Sequence, residues 1–274
     1  MKKVFGFILV LFITAAALLG GLFCFNGWKS AEKLEQATPI QSLCEKVMAR
    51  EDFVPYDQIS PDLLTATICV EDGRYYSHGA VDLLSLIRAV ISQLLPFAQK
   101  SGGSTITQQV VKNLYQQYDK GIEWKSTEIF QAFRLENLYT KDEILALYVN
   151  IINYGDEYIG IKEACQGYFE CEPSQLNVEE ATLLAGIPQS PSSFQLSDHF
   201  DAAKLKQKVV LNAMVRNRKI SQEEADEIYQ RPIHYIANGY WQDGIALLPL
   251  SFLQTTVHFF TRVRAALYHD LSNT

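Results

Sequence analysis

The longest hydrophobic run of the chain lies at its N-terminus. After Met1-Lys2-Lys3, residues 4–25 form 22 uncharged and mostly apolar positions. At ~1.5 Å per residue, a helix of this length spans ~33 Å, which matches the hydrocarbon core of a bilayer. The two lysines before the run predict a cytoplasmic N-terminus and a chain that continues outside the membrane. A cleaved signal peptide is the alternative, although its apolar region usually has only ~7–15 residues.

The residues after this run are polar, and they divide the chain. Charged side chains in the segment 26–41 are typical of a solvated stalk or a juxtamembrane helix. Further along, the segment 244–260 is apolar but interrupted by Pro249, and it is short for a membrane span. We predict it to be a core or membrane-interface segment. The predicted divisions are an N-terminus and membrane anchor at 1–28, a stalk at 29–55, a folded domain at 56–235, and an apolar C-terminal extension at 236–274.

The folded part carries the signals of helix ends. Ser60-Pro61 combines a cap residue with proline in the first turn and predicts a helix that ends near Glu71. A glycine-containing turn at 102–105 opens a second helix, and Ser126 begins a third. Caps or capping boxes begin three more helices, at Thr140, Asn177 and Ser221. Stretches with period 2 are short and few, and no repeat of 20–50 residues is present. The predicted fold class is therefore mainly α, in a single compact domain.

Composition excludes several classes of protein. The 274 residues are 48% hydrophobic and 20% charged, as in a folded globular chain. The net charge of −7 and the lack of a long Lys/Arg run argue against nucleic acid as a partner. Five cysteines form neither an even disulfide framework nor the close pairs of zinc knuckles, so we interpret most of them as buried apolar residues. Five scattered histidines make a dedicated zinc site improbable.

One predicted helix has a polar face of unusual composition. Thr105, Gln108, Gln109 and Lys112 fall within about one third of the circumference of the helix at 105–115. The N–H groups at the start of such a helix, together with a lysine, suit an anion such as a diphosphate. An ordinary amphipathic surface helix is the alternative for this pattern taken alone.

Acidic residues cluster at the end of an earlier helix. Glu71 and Asp72 follow the apolar segment that begins at Pro61, and His78 and Asp82 come shortly after. A carboxylate at the edge of an apolar helix can act as a general acid or base when burial raises its pKa. A charged helix end followed by a loop is the plain alternative.

The two segments resemble the motifs of one bacterial enzyme family. EDGRYYSHGAVD (71–82) and GGSTITQQVVKN (102–113) are similar to the first two motifs of the peptidoglycan glycosyltransferases, glycosyltransferase family 51. WKSTE (124–128) and the segments 141–169 and 179–192 resemble the other three, in the same order. The resemblance covers roughly residues 60–195 and implies a mostly helical, lysozyme-like domain behind one anchor in the bacterial cytoplasmic membrane.

The resemblance also implies a reaction and a set of roles. Family members polymerise lipid II into glycan strands with inversion at the donor carbon and release of undecaprenyl diphosphate. Glu71 aligns with the general base and Glu128 with a second glutamate, while Lys112 and Lys125 would neutralise phosphate charge. The remaining residues that the resemblance assigns to substrate binding or site ordering are Asp72, His78, Thr105, Gln108, Gln109 and Asn113.

The same resemblance implies partners. These are lipid II, the growing glycan strand, the membrane and other cell-wall synthesis proteins. No private ligand set for a metal is visible, and a divalent cation, Mg²⁺ or Mn²⁺, is left open as a companion of the diphosphate.

Departures from the family pattern keep two alternatives open. Trp124 stands where the family has an arginine, and indole cannot replace a guanidinium fork. Ala80 replaces a glycine, which would strain the loop if the position needed a positive φ. A degenerate member that binds lipid II or cell-wall partners without catalysis is therefore the second interpretation. The third is a lysozyme-like glycan hydrolase, which would also use a carboxylate; the polar face with its lysine favours diphosphate chemistry instead.

Overall fold

The computed structural model describes residues 2–94, 103–117 and 121–244. Within them the chain is mainly α-helical, as predicted. The helices are α1 Lys2–Ala37, α2 Ile40–Met48, α3 Pro61–Glu71, α4 Leu83–Leu94, α5 Ile106–Leu114, α6 Ile122–Leu138, α7 Lys141–Ile151, α8 Ile161–Phe169, α9 Val178–Leu184, α10 Pro191–Phe194, α11 Leu196–Arg216 and α12 Gln222–Gln230. Two short strands follow, β1 Ile233–Ala237 and β2 Tyr240–Gly244.

The first helix continues without a break from the apolar run into the folded domain. α1 has 36 residues, and it is the one described helix that is long and apolar enough to cross a membrane. Its C-terminal half packs along α6, where Ala31 is fully buried. The Ala31 carbonyl oxygen accepts hydrogen bonds from Gln131 at 3.0 Å and from Arg134 at 3.2 Å. The solvated stalk expected at 29–55 is therefore packed against the domain.

The rest of that expected stalk belongs to the domain core. Ile40 and Cys44 on α2 are fully buried, and α2 packs against α5, α6 and α7. The side chain of Asn150, on α7, pairs with both backbone groups of Val54, donating to its carbonyl oxygen and accepting from its N–H at 2.8 Å each. Burial of α2 against three helices places the start of the folded unit well before residue 56.

The predicted helix starts agree closely with the structure. α3 begins at Pro61 after Ser60 and ends at Glu71. α6 is the exception, because it begins at Ile122, four residues before Ser126. Capping boxes, in which the cap side chain and the side chain three residues later each bond the other's N–H, begin four helices, at Thr105–Gln108, Thr140–Glu143, Asn177–Glu180 and Ser221–Glu224.

The core lies where α5 and α11 cross the other helices. α5 packs against α6 and α7, while α11 packs against α3, α9 and α12. Tyr75, Tyr148, Tyr154 and Tyr168 are among the largest fully buried side chains. Most of the predicted site residues lie on α3, α5 and α6.

A β-hairpin follows α12 and was not predicted from the sequence. β1 and β2 pair antiparallel, with Ile233 opposite Gly244 and Ala237 opposite Tyr240. The Phe200 ring on α11 lies against Gly244, which has no side chain to prevent this contact. The predicted boundary between 235 and 236 therefore falls inside β1. The remainder of the predicted C-terminal extension, 245–274, lies outside the described residues.

Candidate active site

The C-terminal end of α3 meets the first turns of α5. Glu71, the last residue of α3, accepts a hydrogen bond of 2.8 Å from the Gln109 side-chain amide. The Gln109 oxygen in turn accepts a hydrogen bond of 3.3 Å from the Tyr148 hydroxyl on α7. Tyr148 is buried, so Gln109 is held from one side and orients the Glu71 carboxylate from the other. Two residues that the sequence predicted for the same site are thus in direct contact.

The neighbouring carboxylate has a different setting. Asp72 is buried, and its oxygens accept from His78 Nε2 at 2.7 Å and from the Ile106 N–H, at the start of α5, at 3.1 Å. His78 Nδ1 lies 2.5 Å from the Gly79 carbonyl oxygen. Because both ring nitrogens face acceptors, a ring that carries a proton on each nitrogen satisfies both contacts. Asp72 and His78 therefore tie the loop after α3 to the N-terminus of α5.

Thr105 and Gln108 form the capping box of α5. The Thr105 hydroxyl donates to the Ala80 carbonyl oxygen at 2.8 Å and accepts from the Gln108 N–H, while the Gln108 side chain accepts from the Thr105 N–H at 2.9 Å. Both side chains are buried. The geometry favours a structural role for this pair over the substrate contacts expected of them. Ala80 does not have a positive φ, so its replacement of a glycine causes no backbone strain.

The other predicted residues lie on the facing surfaces of α5 and α6. Lys125 pairs with Glu128 one turn later and also donates to the Ser104 hydroxyl at 2.9 Å. Burial raises the pKa of Glu128, and the positive charges of Lys125 and Lys112 oppose that rise. Asn113 donates to the Gln109 carbonyl oxygen at 2.8 Å. Glu128 is a buried carboxylate near two lysines. A phosphate bound by those lysines would therefore change how readily Glu128 takes up a proton.

Trp124 does not occupy this surface. Its side chain is buried in the core and packs edge-to-face on Tyr115, with ring centroids 6.0 Å apart. Lys46 and Arg50 from α2 and the following turn line the cavity that also contains Lys112. Positive charge is therefore present beside Lys112 although residue 124 supplies none.

Asp82 caps α4 and forms an ion pair with Arg74. Its carboxylate accepts from the Leu84 and Ser85 N–H groups at 3.0 and 3.1 Å and from Arg74 at 2.5 and 2.6 Å. Burial alone would raise the pKa of Asp82, but these hydrogen bonds and the Arg74 charge hold it well below its usual range.

Asp72, His78 and Asp82 place possible ligand atoms within 4.8 Å of one another. The guanidinium on Asp82 and the donors on Asp72 already occupy their oxygens. The cluster therefore does not fit the Mg²⁺ or Mn²⁺ left open from the sequence.

Two cavities meet at Gln109. One, of about 480 Å³, contains Glu71 and is bordered by three arginines, Arg74, Arg88 and Arg216. The other, of about 720 Å³, contains Lys112 and Asn113 together with Lys46 and Arg50. The first cavity is also lined by the carboxylates of Glu71, Asp72 and Asp82, whereas the second takes its charge from lysine and arginine side chains.

Sequence reasoning missed two residues of α11 near the site. Arg216 lines the cavity that contains Glu71, and Lys206 lies behind Gln189 of that lining. Both are more than 130 positions from Glu71, and no local motif marks them. Lys206 is buried and hydrogen-bonds Gln189. Burial lowers the pKa of Lys206, while the Glu71 charge acts in the opposite direction. Gln189 lies in the segment 179–192 that resembled the fifth family motif, which was the available signal.

Known proteins are similar to this chain over about two thirds of its length. The family model described as Transglycosylase matches residues 36–215. Penicillin-binding protein 2D of Bacillus subtilis (strain 168) is 39% identical over 183 residues, which cover 67% of this chain and 26% of that protein. Penicillin-binding protein 1A of Neisseria lactamica is 36% identical over 186 residues, covering 68% and 23%.

A solved structure was also matched. The crystal structure of penicillin-binding protein 1A from Haemophilus influenzae shares 23% identity, covers 48% of this chain and 17% of that chain, and has a TM-score of 0.33. The chain spans about a quarter of the length of the curated relatives it matches. The family model covers well over half of the chain and includes α2 through most of α11. The chain therefore belongs to the transglycosylase family.

Proposed function

We propose that this chain is a peptidoglycan glycosyltransferase that polymerises lipid II into β-1,4-linked glycan strands. The observation that carries the proposal is the Glu71 carboxylate, held by Gln109 where two cation-lined cavities meet. A polymerase of this kind must hold two lipid-linked diphosphates and bring one sugar hydroxyl to the anomeric carbon of the other. Two cavities with positive charge and one carboxylate between them meet that requirement.

The cavity with Glu71 is suited to the acceptor. Arg74 is held by Asp82, but Arg88 and Arg216 can bind the acceptor diphosphate by bidentate hydrogen bonds, which guanidinium groups form well. Glu71 would then remove the proton from the 4-hydroxyl of the acceptor N-acetylglucosamine. Gln109 and Lys206 act on Glu71 itself, by one hydrogen bond and by charge. The hydrogen bond from Gln109 orients the carboxylate that would act as the general base.

The cavity with Lys112 is suited to the donor. As the acceptor oxygen attacks C1 of the N-acetylmuramic acid, the bond to the diphosphate breaks and negative charge grows on the leaving oxygen. Lys112 and Lys125 would stabilise that charge. Glu128, whose pKa is raised by burial, keeps Lys125 in place and can exchange a proton with it. Undecaprenyl diphosphate leaves, and the donor carbon is inverted.

Membrane attachment follows from the apolar surfaces. α1 would anchor the chain in the bacterial cytoplasmic membrane, with the N-terminus inside and the folded domain on the outer face. α4 exposes Leu83, Leu84, Ile87 and Ile91, although it borders the cavity that contains Glu71. An apolar helix face beside the site would rest on the bilayer surface, where the lipid tails of both substrates remain.

The test is polymerisation of labelled lipid II by the full-length protein in detergent. The Glu71→Gln variant should lose about 10²–10⁴-fold in rate, the usual contribution of a general base. Glu227→Gln, at an exposed position on α12, is the matched control and should polymerise normally. Normal polymerisation by Glu71→Gln would contradict the proposed base.

Other outcomes separate the alternatives. Lipid II binding without polymer by the unmodified chain would assign the degenerate role, and release of muropeptides from purified cell wall would assign a hydrolase.

A further inference from the structure

Two cysteines lie together at the C-terminal end of α8. Cys165 is fully buried in the body of the helix, and Cys171 is partly exposed two residues after the helix ends at Phe169. Both are present as thiols in the structure. Neither residue lines the cavities of the candidate active site. The pair therefore needs an explanation separate from glycosyl transfer.

The backbone brings the two residues close. Glu170 adopts a left-handed conformation with φ of 50°, which turns the chain back over the helix end. The Cys171 N–H then donates to the Cys165 carbonyl oxygen at 3.4 Å. With ordinary bond lengths, this contact is compatible with the Cα separation of ~4.4–6.8 Å that a disulfide spans. The two sulfurs also share a thiol–thiol hydrogen bond.

The two thiols differ in a way that suits exchange chemistry. Their mutual hydrogen bond raises the pKa of Cys165, and burial raises it further. The same hydrogen bond lowers the pKa of Cys171, although partial burial opposes the change. The more accessible sulfur is thus the more readily ionised one, which is the property of an attacking thiol. The buried sulfur is placed to react next.

We propose that Cys165 and Cys171 form a disulfide when the protein meets an external disulfide. The Cys171 thiolate attacks one sulfur of the reagent, forms a mixed disulfide and releases one thiolate. Cys165 then loses its proton and attacks the Cys171 sulfur, which releases the second thiolate. Two protein thiols are oxidised, and the external disulfide is reduced to two thiols. The folded domain would meet such oxidants on the outer face of the membrane.

The bond would fix the end of a helix that supports the site. α8 carries Tyr168, whose hydroxyl donates to Asp156 at 2.7 Å and to the Tyr154 carbonyl oxygen at 3.0 Å. These bonds hold the loop between α7 and α8. The turn at Glu170 has a non-glycine residue in the left-handed region, which costs ~1–2 kcal/mol. A disulfide across this turn would keep it closed.

Peptide mass spectrometry can test the pairing without any enzymatic assay. Cleavage after Lys162 and Lys204 yields a tryptic peptide, 163–204, that contains these two cysteines and no others. The full-length protein in detergent is treated with oxidised glutathione, denatured, alkylated and digested without reductant. We expect the peptide to be lighter than in the reduced and alkylated sample by the mass of two alkyl groups, because its two sulfurs are bonded to each other instead. Cys69, buried on α3, gives an internal control that should still be alkylated after denaturation.

Single variants test the order of attack. In Cys165→Ala, Cys171 should retain glutathione as a mixed disulfide. In Cys171→Ser, Cys165 should remain a free thiol that is alkylated after denaturation. Full alkylation of both cysteines in the oxidised wild type would overturn the proposal, and so would persistent glutathione on Cys171 or a disulfide-linked dimer. The mass measurement does not depend on glycosyl transfer, so its failure leaves the proposed function untouched.

Discussion

Gly27 lies where α1 touches the helix that carries two candidate site residues. A Cβ atom at this position would lie 2.5 Å from the Ser126 Cβ, 2.7 Å from its Oγ and 2.9 Å from its backbone carbonyl carbon. Ser126 lies between Lys125 and Glu128 in sequence. Gly27→Ala should therefore displace the part of α6 that borders the site, although Gly27 itself lies far from Glu71 in sequence.

The size of the effect follows from these distances. Carbon atoms in contact prefer ~3.5–4.0 Å, so relief of the clash requires about 1 Å of separation between the helices. Overpacking of this kind costs ~1–3 kcal/mol, and the better helix propensity of alanine returns ~1 kcal/mol. The free energy of unfolding should thus fall by only ~0–2 kcal/mol. A displacement of ~1 Å at catalytic groups can lower the rate by ~10²-fold.

The assay pairs polymerisation of lipid II with thermal denaturation of the same detergent-purified variants. Gly20→Ala and Gly21→Ala are matched controls, because a Cβ at either position meets no atom within 4 Å. Both should keep the wild-type rate. Adding Ser126→Gly to Gly27→Ala removes two of the three clashing atoms and should restore part of the activity. If Gly27→Ala polymerises at the wild-type rate, the docking of α1 does not position α6.

Two further predictions concern buried carboxylates. Glu128→Gln should raise the free energy of unfolding at about pH 8 but not at about pH 4. Burial raises the pKa of Glu128, so the folded state is destabilised relative to the unfolded state when the pH rises through that pKa and the carboxylate ionises. Chemical denaturation at both pH values checks this, and a variant less stable than wild type at about pH 8 would contradict it. Asp82→Asn should lower the free energy of unfolding by ~0.2–1 kcal/mol at neutral pH, since asparagine can still cap α4 but cannot form the ion pair with Arg74. Because the pKa of Asp82 is held low in the folded state, that difference should begin to shrink as the pH falls below the unfolded value of ~3.9 and should vanish only below the folded pKa; a difference that does not shrink across this range would point to a cause other than charge.

Local signals in the sequence predicted much of this fold. The capping boxes that begin at Thr140, Asn177 and Ser221 each join two residues only three positions apart. The interactions that start those helices can therefore be read from four consecutive residues. Glu71 and Gln109 were assigned to one site because both belong to motifs that resemble one family, and the structure brings the two side chains into contact.

Long-range contacts were not predictable in the same way. Gln131 reaches Ala31 and Asn150 reaches Val54 across about 100 positions, so the segment 29–55 looked like a solvated stalk. Gln108 shows a second limit of sequence reasoning. Its place on the polar face of α5 suggested a ligand contact, whereas the structure uses its side chain to cap the helix. A polar pattern does not distinguish hydrogen bonds to substrate from hydrogen bonds to the backbone.

Because α1 is one continuous helix, its length would set how far the candidate site lies from the membrane and in which direction the site faces. Its 36 residues extend ~54 Å; with α1 across a bilayer core of ~30 Å, as proposed above, ~24 Å of helix would remain beside the domain. Each residue added to or removed from this helix before Gly27 would turn the domain by about 100° around the helix axis and shift it by ~1.5 Å. The number of residues in the helix would thus fix the rotation and the distance of the domain relative to the membrane, which we call its register. Under the proposed function, only some registers would direct both cavities toward the head groups of lipid-linked substrates.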